Sequence, residues 1–270
     1  MMKTFSLPFG KGTQTVSLDE AHVLYDLHGN PVDAVADEQE AIRQALRHPI
    51  GSAPLKDVVQ AGDTVAIIVS DITRLVHTAQ MLPVIVDELN QAGVRDEQIT
   101  VVTAQGTHRA HRPEEDVIVC GEDMVKRVKV VSHDCRDASQ LTKIGTTTHG
   151  NDVYLDSHVV QADKVILTGA VSFHPMAGFG GGRKAVLPGV ASYETIMRNH
   201  AMALTDTFGG GCNPRCETSL LEDNPLHDDM KQAAALLNPC FLVNTVFSAD
   251  GDLYEVVGGH WYDRSEEHTS

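Results

Sequence analysis

Two hundred and seventy residues carry 21 Lys and Arg against 37 Asp and Glu, a net charge of -16. That balance speaks against a general nucleic-acid binder, which needs clustered cations to neutralise phosphate. A hydrophobic share of 42% with 21% charged residues is globular rather than disordered, and no apolar run nears the ~20 residues that span a bilayer.

The segment Met1–Pro8 lacks a signal-peptide apolar stretch, so a cytoplasmic protein is expected, with neither membrane nor nucleic acid as partner. The length allows one large or two modest domains. Asp37 to Leu46 predicts a first helix, with Asp37 and Glu40 spaced as in a capping box. Val65–Val69 is a β-branched run that predicts a buried strand ending at Ser70-Asp71. Thr78–Ala92 follows with Leu82, Ile85, Val86 and Leu89 at helical spacing and Gly93 as the stop; Pro83 places the start of the regular helix near Leu82. Ile99–Val102, Val128–Val131 and Val165–Leu167 predict further strands. Ser192–Ala203 predicts a helix with Ser192 as N-cap and Glu194 in the first turn. Asn224-Pro225 opens another helix to about Leu236, and Cys240–Val246 is a last buried strand. Alternation of this kind predicts an α/β fold with an open, largely parallel sheet and flanking helices.

Five cysteines, without an export signal, are expected to be free thiols; Cys212 and Cys216 form the one close pair, with no second pair to complete a zinc site. Residues 264–270 read RSEEHTS, the translation of a common sequencing adapter. The natural gene is therefore expected to continue beyond about Asp263 with different sequence.

In open α/β sheets ligands bind beyond the carboxyl ends of the strands. Polar clusters stand where four strands should end: Ser70–Arg74, Gln105–Arg109, Ser132–Asp134 and Phe173–Pro175 with the glycine block behind it. In that block, Gly178-Phe179-Gly180-Gly181-Gly182-Arg183-Lys184, glycines let backbone N–H groups approach an anion, and Arg183 and Lys184 add positive charge. It is not a P-loop, because no Ser or Thr follows the lysine, and Gly180-x-Gly182-x-x-Ala185 fits the dinucleotide fingerprint only loosely. Of fourteen histidines, His108, His174 and His200 stand out by context. His48, His77, His111, His149, His227 and His260 carry no functional assignment.

Asp71-Ile72-Thr73-Arg74, Gly106-Thr107-His108-Arg109, His133-Asp134, HPMAGFGGGRKAVLPG from His174 to Gly189, Thr195-Ile196 and Asn199-His200 together resemble the nickel-dependent lactate racemase family, in collinear order from about Leu7 to Gly259. The resemblance implies the N-terminal domain of a two-domain enzyme, spanning 1–263, with the C-terminal domain absent and the active site in the cleft between the two. It implies a nickel-pincer nucleotide, a nickel pyridinium bisthiocarboxylate mononucleotide, supplied by cofactor-synthesis proteins. Lys184 would hold that cofactor covalently, and His200 would be the protein ligand to nickel. His108 and His174 would be paired general acid/bases. Asp71, Thr73 and Arg74, with Gly180, Gly181, Gly182 and Arg183, would bind cofactor or orient substrate. The implied activity is racemisation or epimerisation of a small 2-hydroxy acid by reversible hydride transfer, weak in this chain alone. Leu75 stands where the family often has proline, and Met176 where an aromatic is common, so pocket shape is expected to differ. Two other readings stay open on the residues alone: a non-catalytic nucleotide- or anion-binding module, and an NAD-type dehydrogenase.

Overall fold

A strand covered on both faces needs an apolar side chain at every position, and Val65–Val69 supplies them. In the computed structural model, which describes residues 1–10, 12–74, 76–207 and 209–262, these five residues are all buried in strand β1 (Val65–Ser70). Leu75 and the tail 264–270 lie outside the described residues. On one side β1 pairs in parallel with β2 (Ile99–Ala104), which pairs with β3 (Lys129–Ser132). On the other it pairs in parallel with β4 (Lys164–Val171), which pairs with β5 (Phe241–Phe247). A strand that the sequence pattern does not announce, β6 (Leu253–Gly259), adds antiparallel to β5. The spatial order β3-β2-β1-β4-β5-β6 is that of a doubly wound sheet, so the expected open, largely parallel α/β architecture is found.

Alternate side chains of β1 feed two cores. Val65, Ile67 and Val69 join one with Ile42 and Leu46 of helix α1 (Glu38–Arg47) and Met81, Ile85 and Leu89 of α2 (Thr78–Gln91). Ala66 and Ile68 join the other. There they meet Ile196 of a later helix (Tyr193–Ala201) and Met230 of another (Pro225–Leu237). Two short helices, α3 (Pro113–Cys120) and α4 (Glu122–Arg127), intervene in the chain before β3; the two later helices are thus α5 and α6.

Most caps follow the sequence. Asp37 accepts from the Glu40 N–H at the start of α1, Ser192 from the Thr195 N–H at α5, and Asn224 from the Leu226 and His227 N–H groups at α6. The capping box of α1 is half made, because the Glu40 carboxylate is taken by Arg43 and Gln44. The start of α2 is a correction. It begins at Thr78 and carries Pro83 inside it. Proline removes an N–H and crowds the preceding turn, but Met81, Leu82, Ile85 and Val86 are completely buried here, and that burial outweighs the local cost.

Two hairpins were not legible in the periodicity. Leu141–Thr146 pairs with Asp152–Asp156. Met2–Phe9 pairs with Gly12–Asp19 as a separate ribbon with alternating faces, and its Leu7, Phe9, Val16 and Leu18 are exposed.

Behind the glycine block, the chain folds back so tightly that Gly189 has no room for a side chain. A Cβ there would lie 2.2 Å from the Ala185 carbonyl oxygen. The Gly189 carbonyl also accepts the Gly106 N–H at 2.9 Å, which ties the block to the turn before His108. Gly189→Ala is therefore expected to destabilise the chain by about 1–3 kcal/mol, the usual cost of overpacking, read as a lower urea midpoint at unchanged slope.

Candidate active site

The connection leaving β1 runs through α2 in one core layer, and the connection leaving β4 runs through α5 and α6 in the other. The carboxyl ends of the two strands therefore part. A cleft of about 640 Å³ opens there, at the topological switch point of the sheet. Asp71, Thr73, Arg74, His108, His174, Gly180, Gly181, Lys184 and His200 all line it. Nine of the residues implied by the resemblance thus converge from three loops and one helix.

Asp71 is 3% exposed and fully occupied. Its Oδ1 accepts from the Thr73 N–H at 3.1 Å and from the Thr73 hydroxyl at 2.7 Å, forming a local Asx turn. Its Oδ2 lies 2.7 Å from Nδ1 of His108. A carboxylate accepts, so His108 Nδ1 donates, and Nε2 is left as the basic nitrogen. His108 sits on a turn, its N–H donating to the Gln105 carbonyl at 2.9 Å. Gly106 has φ of +54°, a left-handed conformation that glycine adopts without the cost a side chain would add.

His174 is wired the other way round. Its Nδ1 accepts from the Met176 and Ala177 N–H groups at 3.3 and 3.0 Å, so the neutral ring carries its proton on Nε2. Burial, then the charges of Lys184, Arg74, Arg183 and His200, pushes its pKa down to about 4. At His200, Nδ1 donates to the Ile196 carbonyl at 3.0 Å, leaving the Nε2 lone pair available. Burial is the main cause that lowers the His200 pKa, with Lys184 acting in the same sense. A neutral imidazole oriented by a backbone carbonyl is the usual state of a metal-ligating histidine.

The neighbour of His200 fixes its helix. Asn199 donates Nδ2 to Asp229 of α6 at 2.9 Å. The buried Asp229 also accepts from Asn151 at 2.8 Å and from the Thr147 hydroxyl at 2.6 Å. That network joins α5 to α6 and so sets the height of His200 over the cleft.

The glycine block packs closely as well as lining the cleft. A Cβ on Gly180 would meet the Ser172 hydroxyl at 2.9 Å, and one on Gly181, at φ +83°, would meet the Ala170 carbonyl at 3.1 Å. The block therefore lies flat on the end of β4, and Lys184 follows on the turn Gly182–Ala185, its N–H bonded to the Gly181 carbonyl. Two expectations are corrected here. The Gly182 N–H is not turned to a ligand; it donates to Asn244 Oδ1 at 3.2 Å. Arg183 adds no cation to the cleft wall, being 1% exposed and donating Nη2 to the Ala177 carbonyl at 3.0 Å. Both residues support the wall from behind. His133 is also internal, with Nδ1 3.0 Å from Asp156 and Nε2 2.9 Å from the Ala191 carbonyl, while Asp134 is exposed.

Sequence reading missed Asn244, Asp229 and His111. Asn244 carried a signal, a polar side chain in the apolar strand FLVNTVF. Asp229 carried none. All five cysteines are free thiols, and among the described residues no group of three or more His, Cys, Asp or Glu is placed to hold a metal ion. Among them, too, no helix is long and apolar enough to cross a membrane.

Fold and cleft together define a doubly wound α/β domain with a histidine-lined cleft at its switch point. Residues 9–209 match the family model described as the lactate racemase N-terminal domain, and the chain belongs to that family. The lactate racemase of Thermoanaerobacterium thermosaccharolyticum is 31% identical over 261 residues, covering 96% of this chain and 60% of that protein. The lactate racemase of Lactiplantibacillus plantarum is 34% identical over 255 residues, covering 92% and 58%. The apoprotein structure of the Thermoanaerobacterium enzyme superposes with a TM-score of 0.82 at 30% identity, over 96% of this chain and 59% of that one. A Thermotoga maritima structure shares the fold, with a TM-score of 0.64 at 20% identity, over 86% of this chain and 55% of that one. The chain spans about three fifths of the length of the curated relatives it matches.

The depressed pKa of His174 has a consequence for stability. The unfolded ring titrates near 6.5 and the folded one at about 4, so between these values the unfolded state binds the extra proton. Stability from this site is present above pH 6.5 and is lost as pH falls towards 4. His174→Gln, which cannot take the proton, is expected to show a smaller drop in urea midpoint than the wild type between pH 6.5 and 4.5.

Proposed function

We propose that this chain is the cofactor-anchoring part of a nickel-pincer enzyme that racemises or epimerises a small 2-hydroxy acid. The observation that carries the reading is the convergence of Lys184, His200, His174 and the His108–Asp71 pair on one cleft. The residues suit such a cofactor. His200 offers a single oriented nitrogen, and among the described residues it is not grouped with two further His, Cys, Asp or Glu side chains that could hold a bare ion. A metal whose other ligands are soft sulfurs on an organic carrier matches that donor set. Lys184 would hold the carrier covalently, with Gly180 and Gly181 giving close backbone approach beside it. When bound, the group supplies the hydride acceptor, which no side chain can.

The chain's own residues would then handle protons and orientation. A hydrogen on the carbon beside a carboxylate is a poor acid, so the hydroxyl proton must leave as that hydrogen departs as hydride. His108 takes the hydroxyl proton at Nε2, and Asp71, bonded to Nδ1, stabilises the imidazolium that results. Arg74 brings positive charge to the cleft, where the substrate carboxylate needs a partner. His174 plays the opposite part. It presents Nε2–H to the substrate oxygen, and it can give that proton up, and so serve as a base there afterwards, only when the Met176 and Ala177 amides release Nδ1 and Nδ1 takes a proton in its place. The two histidines would thus serve opposite faces of one flattened carbon, starting as opposite neutral tautomers.

Two observations count against the other readings. The Gly182 N–H is spent on Asn244, which removes a donor from an anion cradle. The turn after β1 reads Asp71-Ile72-Thr73-Arg74, with none of the glycines that seat a dinucleotide pyrophosphate.

The test uses the complete protein, produced together with the cofactor-synthesis proteins. Intact mass should show an adduct that Lys184→Ala abolishes, and bound nickel should fall on His200→Ala. An unmodified wild-type mass with no nickel defeats the reading. The 270-residue chain alone is expected to racemise lactate weakly or not at all.

A further inference from the structure

The His108–Asp71 bond joins two different loops, so its length depends on what holds each loop. Both are held by the first turn of α3. On one side, the Glu115 carboxylate grips Arg109, the residue after His108, through two parallel bonds of 2.7 Å. It also accepts from the Arg112 N–H at 2.8 Å and from Arg112 Nη2 at 3.0 Å. Glu115 is 6% exposed, and its hydrogen bonds to Arg109 and then Arg112 hold its pKa well below the usual carboxylate range. On the other side, Asp116 lies 2.9 Å from His111 Nδ1, and His111 Nε2 accepts the N–H of Ile72, the residue after Asp71, at 2.9 Å. The His111 side chain is 1% exposed. Because Nε2 accepts, Nδ1 must be the protonated nitrogen, and Asp116 is the group that fixes this tautomer.

Adjacent carboxylates of one short helix therefore hold the two residues that follow the two members of the pair. Neither carboxylate nor His111 lines the cleft. We infer that Glu115, Asp116 and His111 are positioning residues that set the His108–Asp71 hydrogen bond, and with it which nitrogen of His108 is basic. The inference rests on the reading that this pair acts as the proton acceptor, but its geometry stands without any cofactor.

The test is imidazole ¹H–¹⁵N correlation on the 270-residue chain without cofactor, alongside its thermal midpoint. His108 should be in the Nδ1–H tautomer in the wild type. His111→Leu, which fills the space but accepts nothing from Ile72, should turn His108 into a mixture of tautomers. His111→Gln, whose side-chain oxygen can still accept that N–H, should restore the wild-type signal. In the complete, cofactor-loaded protein, His111→Leu should lower kcat by up to about 100-fold with KM little changed, and His111→Gln should recover it. Where His111→Leu does not fold, Glu115→Gln carries the same test, since it sets an amide against the Arg109 fork. Unchanged His108 signals in a folded His111→Leu chain, or a change that His111→Gln fails to reverse, overturn the inference. A tautomer shift in a protein whose wild type never racemises upholds the positioning role while removing the proposed activity.

Discussion

Side by side in the sheet, β1 and β4 send their following segments to opposite layers. Everything at the cleft depends on that parting. A crevice opens because no helix can cover both strand ends at once, and the loops that follow must end in polar residues because they border water. From β1 come Asp71 and Arg74, from β2 His108, and from β4 His174 and the glycine block with Lys184. Only His200 is carried by a helix, and that helix is pinned through Asn199 to the buried Asp229. The sheet thus supplies direction, and buried polar contacts supply the finer placement.

The three histidines of the cleft differ in wiring although they share a chemistry. His108 faces a carboxylate, His174 faces two backbone donors, and His200 faces a backbone carbonyl. Each contact selects one tautomer, and so decides which face of the ring meets the cleft as a donor and which as an acceptor. Burial and the nearby lysine favour the neutral form of both His174 and His200, and at His174 they lower the pKa to about 4. The proposed metal-bearing cofactor would gain from this, since neutral nitrogens neither repel a cation nor need to lose a proton to meet it.

Much of the fold was legible because its signals are local. The run of β1, the caps of α5 and α6, and the Asn-Pro start of α6 each follow from a few neighbouring residues. What was not legible depends on contacts far apart in the chain. Pro83 marks a helix start by local rules, but the core around Met81 and Leu82 decides otherwise. Arg183 beside Lys184 looks like part of a cationic cradle, yet the close packing of the glycines on β4 turns it inward and leaves only the lysine at the wall. Nothing in the sequence set His111 apart from the other unassigned histidines, and its role is defined by Ile72 on one loop and Asp116 in the first turn of α3. The candidate site was named largely through its resemblance to a family, whereas the support around it needed the fold.

The ribbon Met2–Phe9/Gly12–Asp19 stands apart from all of this. Phe5, Leu7 and Phe9 share a face with Val16 and Leu18, and neither strand has a second pairing partner among the described residues. A two-stranded ribbon is marginal by itself, and here it combines free edges with an apolar strip, the pairing that invites strand-by-strand accretion. In the isolated chain this ribbon is therefore a place where copies can pair edge to edge.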